Sequence, residues 1–280
     1  MNNPQPSPKI QALYGHPVEH SLSPAMFNAT YKRLGLNREY LAFSVTRDGI
    51  EQAVDSAVAR GFEGFNVTMP LKECIIPLLD KLEADAMEAG AVNTIAVRDS
   101  RLIGYNTDGE GALLALKASG FDRSVHSVLI LGAGGAARGI VNALVKRGLV
   151  LTIMNRTRER ARGIANAYRG KGNVAFAISS KTSLLKTIAE VDLVINTTPL
   201  PIASLFETLA VSMNSIPERV TIFDIAYQYE TDSHKPRHGI SRISPFELLF
   251  QQALLSYQIW MDTSPPYETM RRALIERIGG

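Results

Sequence analysis

The sequence has little of several features that mark particular classes of protein. Cys74 is the only cysteine among 280 residues, so no disulfide forms within the chain, as is typical of a reducing compartment. No apolar run of about 18 residues occurs, which argues against a membrane-spanning helix. The net charge is only +3, and the lysines and arginines are scattered, which argues against nucleic-acid binding. We therefore expect a cytoplasmic protein without nucleic-acid or membrane partners.

Residues 1–9 are rich in proline and asparagine and lack the apolar stretch and positive cluster of a signal peptide. We expect them to form a frayed tail. With 45% hydrophobic and 20% charged residues, the chain has the composition of an ordinary globular protein. Its 280 residues allow two compact domains, each with its own core.

Helix signals recur in the first hundred residues. Ser23 and Pro24 predict the N-cap and first position of a helix that runs to Leu34. Thr46 indicates the cap of a second helix that ends at residue 59, and residues 80–89 predict a third helix. Apolar runs before, between and after these helices predict strands at 12–14, 40–45, 62–67, 92–97 and 102–105. Asp99 and Ser100 indicate a hairpin turn between the last two strands.

From residue 125 onward the pattern is that of a doubly wound sheet. Apolar strands are predicted at 125–131, 149–154, 174–178, 193–196 and 220–225. Helices are predicted between them at 136–146, 158–168 and 183–188. Fully apolar strands joined by helices predict a parallel sheet covered on both faces.

Three further helices organise the chain into domains. The helix predicted at 108–119 connects the two halves, and the helices at 246–261 and 267–278 are expected to return to the first domain. We therefore predict an α/β protein of two domains. The first is a discontinuous α/β domain of residues 1–110 and 245–280, and the second is a doubly wound domain of residues 111–244.

A glycine-rich turn follows the first strand of the second domain. It consists of Gly132, Ala133, Gly134, Gly135 and Ala136. Glycines let the backbone approach a pyrophosphate, and the N-terminus of the next helix offers free N–H groups. The turn therefore indicates a dinucleotide site, although a plain tight turn between a buried strand and a helix has the same pattern.

The end of the next strand indicates which dinucleotide is bound. Enzymes that use NAD usually carry an acidic residue there, whereas this chain has Asn155, Arg156 and Thr157, followed by Arg160. An arginine can bind a 2′-phosphate that a carboxylate would repel. We interpret the segment as an NADP site. Alternatively these arginines form a solvated helix face, an interpretation that fits Arg158 and Arg162 better.

Polar clusters follow the predicted strands of the first domain. Ser21 and Ser23 at a helix N-terminus can hold a carboxylate, although Ser23 is also a candidate for an ordinary N-cap. His16 and His20 have a metal-ligand spacing, but Pro17 prevents a helix there, so we expect no metal site.

A second cluster combines Asn66 and Thr68, which share one face of a strand, with Lys72 beyond a proline. A lone lysine is usually exposed to solvent, which is the alternative for Lys72. The third cluster comprises Asn93-Thr94 and the segment Asn106-Thr107-Asp108-Gly109. These residue types also serve as ordinary turn and cap residues.

These stretches, in this order, resemble the shikimate dehydrogenase family. The matching stretches are His20-Ser21-Leu22-Ser23-Pro24, Asn66-Val67-Thr68-Met69-Pro70 with Lys72, Gly90-Ala91-Val92-Asn93-Thr94, Asn106-Thr107-Asp108-Gly109, the glycine turn and Asn155-Arg156-Thr157. The resemblance implies NADPH-dependent reduction of 3-dehydroshikimate to shikimate in aromatic amino-acid biosynthesis. It also implies a discontinuous substrate domain and a Rossmann-type NADP domain.

The resemblance also implies roles for individual residues. Lys72 and Asp108 correspond to the catalytic pair. The residues that correspond to substrate-binding positions are Ser21, Ser23, Asn66, Thr68, Asn93, Tyr227 and Gln252. The cofactor positions correspond to Gly132, Ala133, Gly134, Gly135, Ala136, Asn155, Arg156, Thr157, Arg160 and Ile225.

Three segments depart from the family pattern, all where the family places the nicotinamide ring. They are Pro201-Ile202, Gln228-Tyr229 and Ser244-Pro245-Phe246-Glu247. The departures leave open a related dehydrogenase that acts on quinate or aminoshikimate, and a nucleotide-binding sensor without turnover. We expect a small-molecule substrate and either a monomer or a homodimer.

Overall fold

The structure is a computed structural model that describes residues 7–121, 125–226 and 240–278. The chain forms two compact units. The first unit consists of Met1–Thr107 with Gln252–Gly280, and the second unit is Asp108–Gln251. The division predicted from the sequence, at residues 110 and 245, lies a few residues from these limits.

A mixed six-stranded sheet organises the first unit. Its strands are β1 (Lys9–Gly15), β2 (Arg38–Ser44), β3 (Gly64–Val67), β4 (Lys81–Leu82), β5 (Thr94–Arg98) and β6 (Arg101–Tyr105), in the order β2-β1-β3-β5-β6-β4. β1 pairs in parallel with β2 and β3, whereas β5 is antiparallel to β3 and β6. Asp99 and Ser100 join β5 to β6 with φ values of 49° and 62°. The predicted hairpin turn is therefore confirmed.

Among its described residues, the first unit contains four whole helices and part of a fifth. They are α1 (Ser23–Arg33), α2 (Ile50–Ala59), α3 (Ala84–Ala89), α10 (Tyr267–Ile278) and the residues of α9 (Pro245–Met261) from Gln252 onward. The core under the sheet is built of buried side chains such as Phe65, Leu71 and Ile95.

Two predicted helix starts are wrong. The N-cap of α1 is Leu22, and Ser23 is the first helical residue. The N–H groups in the first turn of a helix have no partner within the helix. Here the backbone N–H of Ser23 donates to Oγ of Ser21 at 3.3 Å. Thr46 precedes a short 3-10 helix, Arg47–Gly49, and forms no side-chain cap, so α2 begins only at Ile50.

The helix predicted at 80–89 is also shorter than expected. Asp80 pairs with Leu102 of the neighbouring strand, because its N–H donates to the Leu102 carbonyl and its carboxylate accepts from the Leu102 N–H at 2.7 Å. Lys81–Leu82 then pairs with β6 as β4. Pairing with a distant strand has overridden the local helical pattern, and α3 occupies only Ala84–Ala89.

The second unit contains a parallel six-stranded sheet. Its strands are β7 (Ser127–Leu131), β8 (Val150–Asn155), β9 (Val174–Ile178), β10 (Leu193–Asn196), β11 (Thr221–Asp224) and β12 (Arg242–Ile243). They lie in the order β12-β11-β10-β7-β8-β9, and every pairing is parallel. This is the strand order of the Rossmann fold, with the change of direction between β7 and β10.

Both faces of this sheet are covered by helices. The helices are α4 (Asp108–Ala118), α5 (Gly135–Lys146), α6 (Arg158–Ala167), α7 (Lys181–Ile188) and α8 (Ile202–Thr208). Val128 and Ile130 of β7 pack with side chains of α4, α5 and α6, whereas Leu129 and Leu131 pack with side chains of α7 and α8. The predicted two-sided parallel sheet is confirmed. The sequence analysis missed α8 and β12.

No helix in the described ranges combines the length and the apolar character needed to cross a membrane.

The close approach of α4 and α5 yields a stability prediction. A Cβ at Gly109 would lie 2.4 Å from the Gly139 carbonyl oxygen and 2.9 Å from Cβ of Ala143. We expect Gly109→Ala to force the helices apart and to cost about 1–3 kcal/mol. Thermal unfolding followed by circular dichroism should show a midpoint lowered by roughly 3–10 °C.

Gly163 of α6 offers the matched control, because a Cβ there has no neighbour within 4 Å. Gly163→Ala should raise the midpoint slightly, since alanine is favoured over glycine by about 0.5–1 kcal/mol in a helix. Equal midpoints for the two variants would contradict the packing argument.

Candidate active site

The first unit brings together three residues predicted to bind substrate. Asn66 lies on β3, Asn93 directly precedes β5, and Gln252 lies on α9. Nδ2 of Asn66 donates to the backbone carbonyl of Asn93 at 3.1 Å. Nδ2 of Asn93 approaches Oε1 of Gln252 at 3.3 Å. Side chains from three separate parts of the chain therefore form one polar cluster.

The amide of Asn66 is held at both of its polar atoms. Its Oδ1 accepts a hydrogen bond from the Tyr40 hydroxyl at 2.8 Å. Its Nδ2 also lies 2.9 Å from Oγ1 of Thr94 and 3.0 Å from Oγ of Ser256. This amide has one defined orientation, because a flipped amide would place Oδ1 against the backbone carbonyl oxygen of Asn93, an acceptor against an acceptor.

Asn93 is 4% exposed and is equally constrained. Its Oδ1 accepts from the backbone N–H of Thr107 at 2.8 Å and from the Thr94 hydroxyl at 3.1 Å. Its Nδ2 donates to Oγ1 of Thr107 at 2.9 Å. Buried amides require such partners, because an unsatisfied one costs about 1–3 kcal/mol.

Helix α9 contributes to the cluster through one face. Gln252, Ser256 and Trp260 follow one another at intervals of four residues, which places them on a single stripe of the helix. Trp260 donates from Nε1 to the Ile95 carbonyl at 2.9 Å. The indole lies against Gly64, where a Cβ would come within 2.3 Å of Nε1.

Four members of the cluster were not assigned roles from the sequence. They are Tyr40, Thr94, Thr107 and Ser256. The spacing of Ser256 from Gln252 is a signal that could have identified it, since residues four apart share a helix face. No local motif marks Tyr40, which reaches Asn66 from β2.

Lys72 and Thr68 follow β3 in the chain. Thr68 donates its N–H to the Tyr14 carbonyl at 2.8 Å, and the carbonyl of Lys72 accepts from the Val92 N–H at 2.8 Å. The backbone at Lys72 is thus fastened to the residue that precedes Asn93. Burial raises the pKa of Tyr14 to about 12, so its hydroxyl stays neutral in the physiological range.

The remaining predicted residues of this region lie in the loop before α1. Ser21 is partly exposed and Ser23 is buried at 9% exposure. Nδ1 of His16 lies 2.8 Å from Oγ of Ser44. The described ranges contain no group of three side chains able to hold a metal ion.

Asp108 begins α4, in the second unit, and is 1% exposed. Because Lys72 belongs to the first unit, the pairing of the two side chains stays a prediction. Tyr227, predicted to contact substrate, lies outside the described residues, as does the departure at Gln228-Tyr229.

The glycine turn of the second unit lies where the strand order reverses. Gly132 follows β7 with φ of +110°, and a Cβ there would lie 2.4 Å from Oγ1 of Thr197, which follows β10. Gly134 is the N-cap of α5 in an extended conformation, with no atom within 4 Å of a Cβ position. Open backbone before a helix N-terminus suits a pyrophosphate.

Ala133 is buried, whereas Gly135 and Ala136 of the first turn of α5 are partly exposed. Ile225 follows β11, where its N–H donates to the Asn196 carbonyl at 3.1 Å. These residues therefore surround the carboxyl ends of β7, β10 and β11, the edge at which doubly wound sheets bind ligands.

The arginines after β8 differ in their surroundings. The guanidinium of Arg158 lies 5.6 Å from the centre of the Phe176 ring, which explains this arginine without a ligand. Arg156 is exposed and precedes the N-cap Thr157, whose carbonyl accepts from Nδ2 of Asn155 at 2.9 Å. Arg160 is also exposed, on the first turn of α6.

Two of the segments that depart from the family pattern lie at the start of a helix. Ile202 begins α8 and donates its N–H to Oδ2 of Asp224 at 2.7 Å. Pro245 begins α9, and Glu247 in the first turn is 6% exposed and accepts from Nε2 of Gln251 at 2.8 Å.

Three family models match the chain over most of its length. Residues 13–95 match the shikimate dehydrogenase substrate binding domain. Residues 114–236 match the shikimate/quinate 5-dehydrogenase family, and residues 246–275 match the shikimate 5′-dehydrogenase C-terminal domain.

Named relatives of similar length agree with these matches. A shikimate dehydrogenase (NADP+) of Moorella thermoacetica is 39% identical, over 96% of this chain and 94% of the relative. Another of Methanocaldococcus jannaschii is 38% identical, over 96% and 97%. The crystal structure of a Thermus thermophilus shikimate 5-dehydrogenase with NADP(H) and shikimate has a TM-score of 0.81 and 31% identity, over 96% of this chain and 99% of that one. The chain belongs to the shikimate dehydrogenase family.

Proposed function

We propose that the protein reduces 3-dehydroshikimate to shikimate with NADPH, and catalyses the reverse oxidation. The observation that carries the proposal is the polar cluster, in which Asn66, Asn93 and Gln252 meet although they are far apart in sequence. Amide side chains held rigid by partners suit a ligand with several hydroxyl groups. The full-length relatives named as shikimate dehydrogenases support the same activity.

The two units support a division of labour. We assign residues 1–110 with 245–280 to substrate binding and residues 111–244 to NADP(H). The polar cluster supports the first assignment. The Rossmann strand order and the open backbone at Gly134 support the second.

When bound, NADPH supplies the hydride that the ketone carbon of the substrate accepts. Lys72 is assigned to the ketone oxygen, where its ammonium stabilises the growing negative charge and can donate a proton. Asp108 is assigned to keep Lys72 charged and oriented, since a nearby carboxylate favours the protonated amine. Ser21 and Ser23 are assigned to the substrate carboxylate, and Thr68 to a ring hydroxyl.

The first turn of α9 favours one alternative. Glu247, buried and bonded to Gln251, stands where the family usually has a glycine-rich approach. A related substrate such as quinate or aminoshikimate is therefore the second candidate. A sensor without turnover is less well supported, because it would have no need of Lys72 and Asp108.

An assay that crosses cofactors and substrates tests these candidates. NADPH and NADH are each combined with 3-dehydroshikimate, and NADP and NAD with shikimate, quinate and aminoshikimate, while absorbance at 340 nm is followed. Fastest turnover with 3-dehydroshikimate and NADPH supports the proposal. A preference for quinate or aminoshikimate supports the second candidate, and cofactor binding without any turnover supports the sensor.

We further propose a cytoplasmic location, which the single cysteine supports. The assembly is proposed to be a monomer or a homodimer.

Replacing the proposed catalytic lysine should separate chemistry from cofactor binding. Lys72→Ala should lower kcat by about 10²–10⁴, because general acid–base assistance is lost. NADPH affinity, measured by fluorescence titration, should stay nearly unchanged. Lys32→Ala is the control, since Lys32 is an exposed residue of α1 in the same unit. Turnover close to that of the unmodified protein in Lys72→Ala would remove Lys72 from the mechanism.

Replacing Arg156 should change the choice of cofactor. Arg156→Ala should weaken NADP binding by about 10- to 100-fold, the range expected when a hydrogen bond to a charged group is lost, and leave NAD binding nearly unchanged. KM values for NADP and NAD measure this effect. Arg158→Ala removes the same charge from an arginine that stacks on Phe176, and it should leave the preference intact. A similar loss in both variants would indicate a general effect of charge.

A further inference from the structure

A directed series of hydrogen bonds runs through the polar cluster. Nδ2 of Asn66 carries only donors, so in its contact with Ser256 the serine oxygen accepts. Oδ1 of Asn93 can only accept, so Thr94 donates its single hydroxyl hydrogen there at 3.1 Å. Ser256 and Thr94 lie 3.0 Å apart. Either hydroxyl can donate in that contact, and Ser256 is the donor when Thr94 directs its hydrogen to Asn93.

With that assignment the series has one polarity from end to end. It begins at the Tyr40 hydroxyl, which donates to Oδ1 of Asn66, and it ends where Nδ2 of Asn93 donates to Oε1 of Gln252. Hydrogen bonds in such chains strengthen one another in a low-dielectric interior. Ser256 is 1% exposed and is the link at which α9 joins the series.

The hydrogen bonds of Asn66 determine which of its polar atoms can bind a ligand. Both hydrogens of the Asn66 amide are directed at the Asn93 carbonyl, Thr94 and Ser256. One lone pair of Oδ1 receives the Tyr40 hydroxyl. Within the described part of the chain, the group left over on Asn66 is the second lone pair of Oδ1, which can accept from a ligand hydroxyl.

We propose that Ser256 is a positioning residue that fixes the Asn66 amide, so that Asn66 presents an acceptor to a hydroxyl of the substrate. Ser256 acts through Asn66 and Thr94, with which its hydroxyl makes hydrogen bonds. This inference rests on the proposed function, because the hydroxyl-bearing ligand is the shikimate of that reaction.

The test compares Ser256→Ala with a buried hydroxyl of the same unit that lies outside the series. Thr30 is fully buried and its hydroxyl donates to the Met26 carbonyl at 2.8 Å, so Thr30→Val is the matched control. In NADP-dependent oxidation of shikimate, Ser256→Ala should raise KM for shikimate about three- to tenfold, the range for the loss of one neutral hydrogen bond. Its kcat and its KM for NADP should stay within about twofold, whereas Thr30→Val should change only the unfolding midpoint.

A second readout separates positioning from a general loss of stability. Shikimate analogues that each lack one ring hydroxyl are compared with shikimate by kcat/KM. One analogue lacks the hydroxyl that donates to Oδ1 of Asn66. For this analogue, Ser256→Ala should lower the ratio of kcat/KM for shikimate to kcat/KM for the analogue about three- to tenfold, because the misplaced amide no longer binds that hydroxyl. Unchanged discrimination against every analogue would overturn the inference. Ser256→Cys, which keeps a weak acceptor for the Asn66 amide and a weak donor, should lie between serine and alanine.

Tyr40→Phe carries the test if Ser256→Ala does not fold, because it removes the hydrogen bond at the other atom of the same amide. It should raise KM for shikimate over the same range, and an unchanged KM would overturn the inference. If the unmodified protein oxidises shikimate and the variants keep its KM and its discrimination, the inference alone fails. If the unmodified protein does not oxidise shikimate, the proposed function fails and the inference with it.

Discussion

Buried amides in the first unit must have hydrogen-bond partners, and this requirement shapes the region around them. Asn93 and Thr94 have little contact with solvent, so their polar atoms depend on side chains from β3, α9 and the segment after β6. Each of those elements has to place its side chain within hydrogen-bond distance of Asn93 or Thr94. The same bonds that stabilise the unit therefore give its amides one orientation, which a binding site for hydroxyl groups requires.

In the second unit the corresponding constraint is the reversal of strand order between β7 and β10. The reversal leaves a crevice at the carboxyl ends of these strands. The glycine turn lines this crevice with backbone more than with side chains. Gly132 makes this possible, because any Cβ there would collide with Thr197. The N–H groups at the N-terminus of α5 are chemically suited to phosphate. The amides and hydroxyls of the first unit suit a ring that carries several hydroxyl groups.

Local patterns predicted the elements whose contacts are uniform along the chain. The strands at Val174–Ile178 and Leu193–Asn196 and the helix at Tyr267–Ile278 have the predicted limits, because continuous apolar runs and helical periodicity determine them. Predictions failed where a distant partner decides, as when Leu102 draws Asp80 out of a helix. The contact of Ser256 with Asn66 was not predicted either, since the two residues are 190 positions apart in the sequence.

The contact between Gly64 and Trp260 has a consequence for how this region can change in evolution. The indole occupies the volume that any side chain at position 64 would need, and it also supplies the donor for the Ile95 carbonyl. A Cβ at 64 would also lie 2.5 Å from the Ile95 carbonyl oxygen, so a smaller residue at 260 alone would not make room for it and would leave that carbonyl without its indole donor. We therefore expect glycine at 64 and tryptophan at 260 to be retained together in descendants of this sequence.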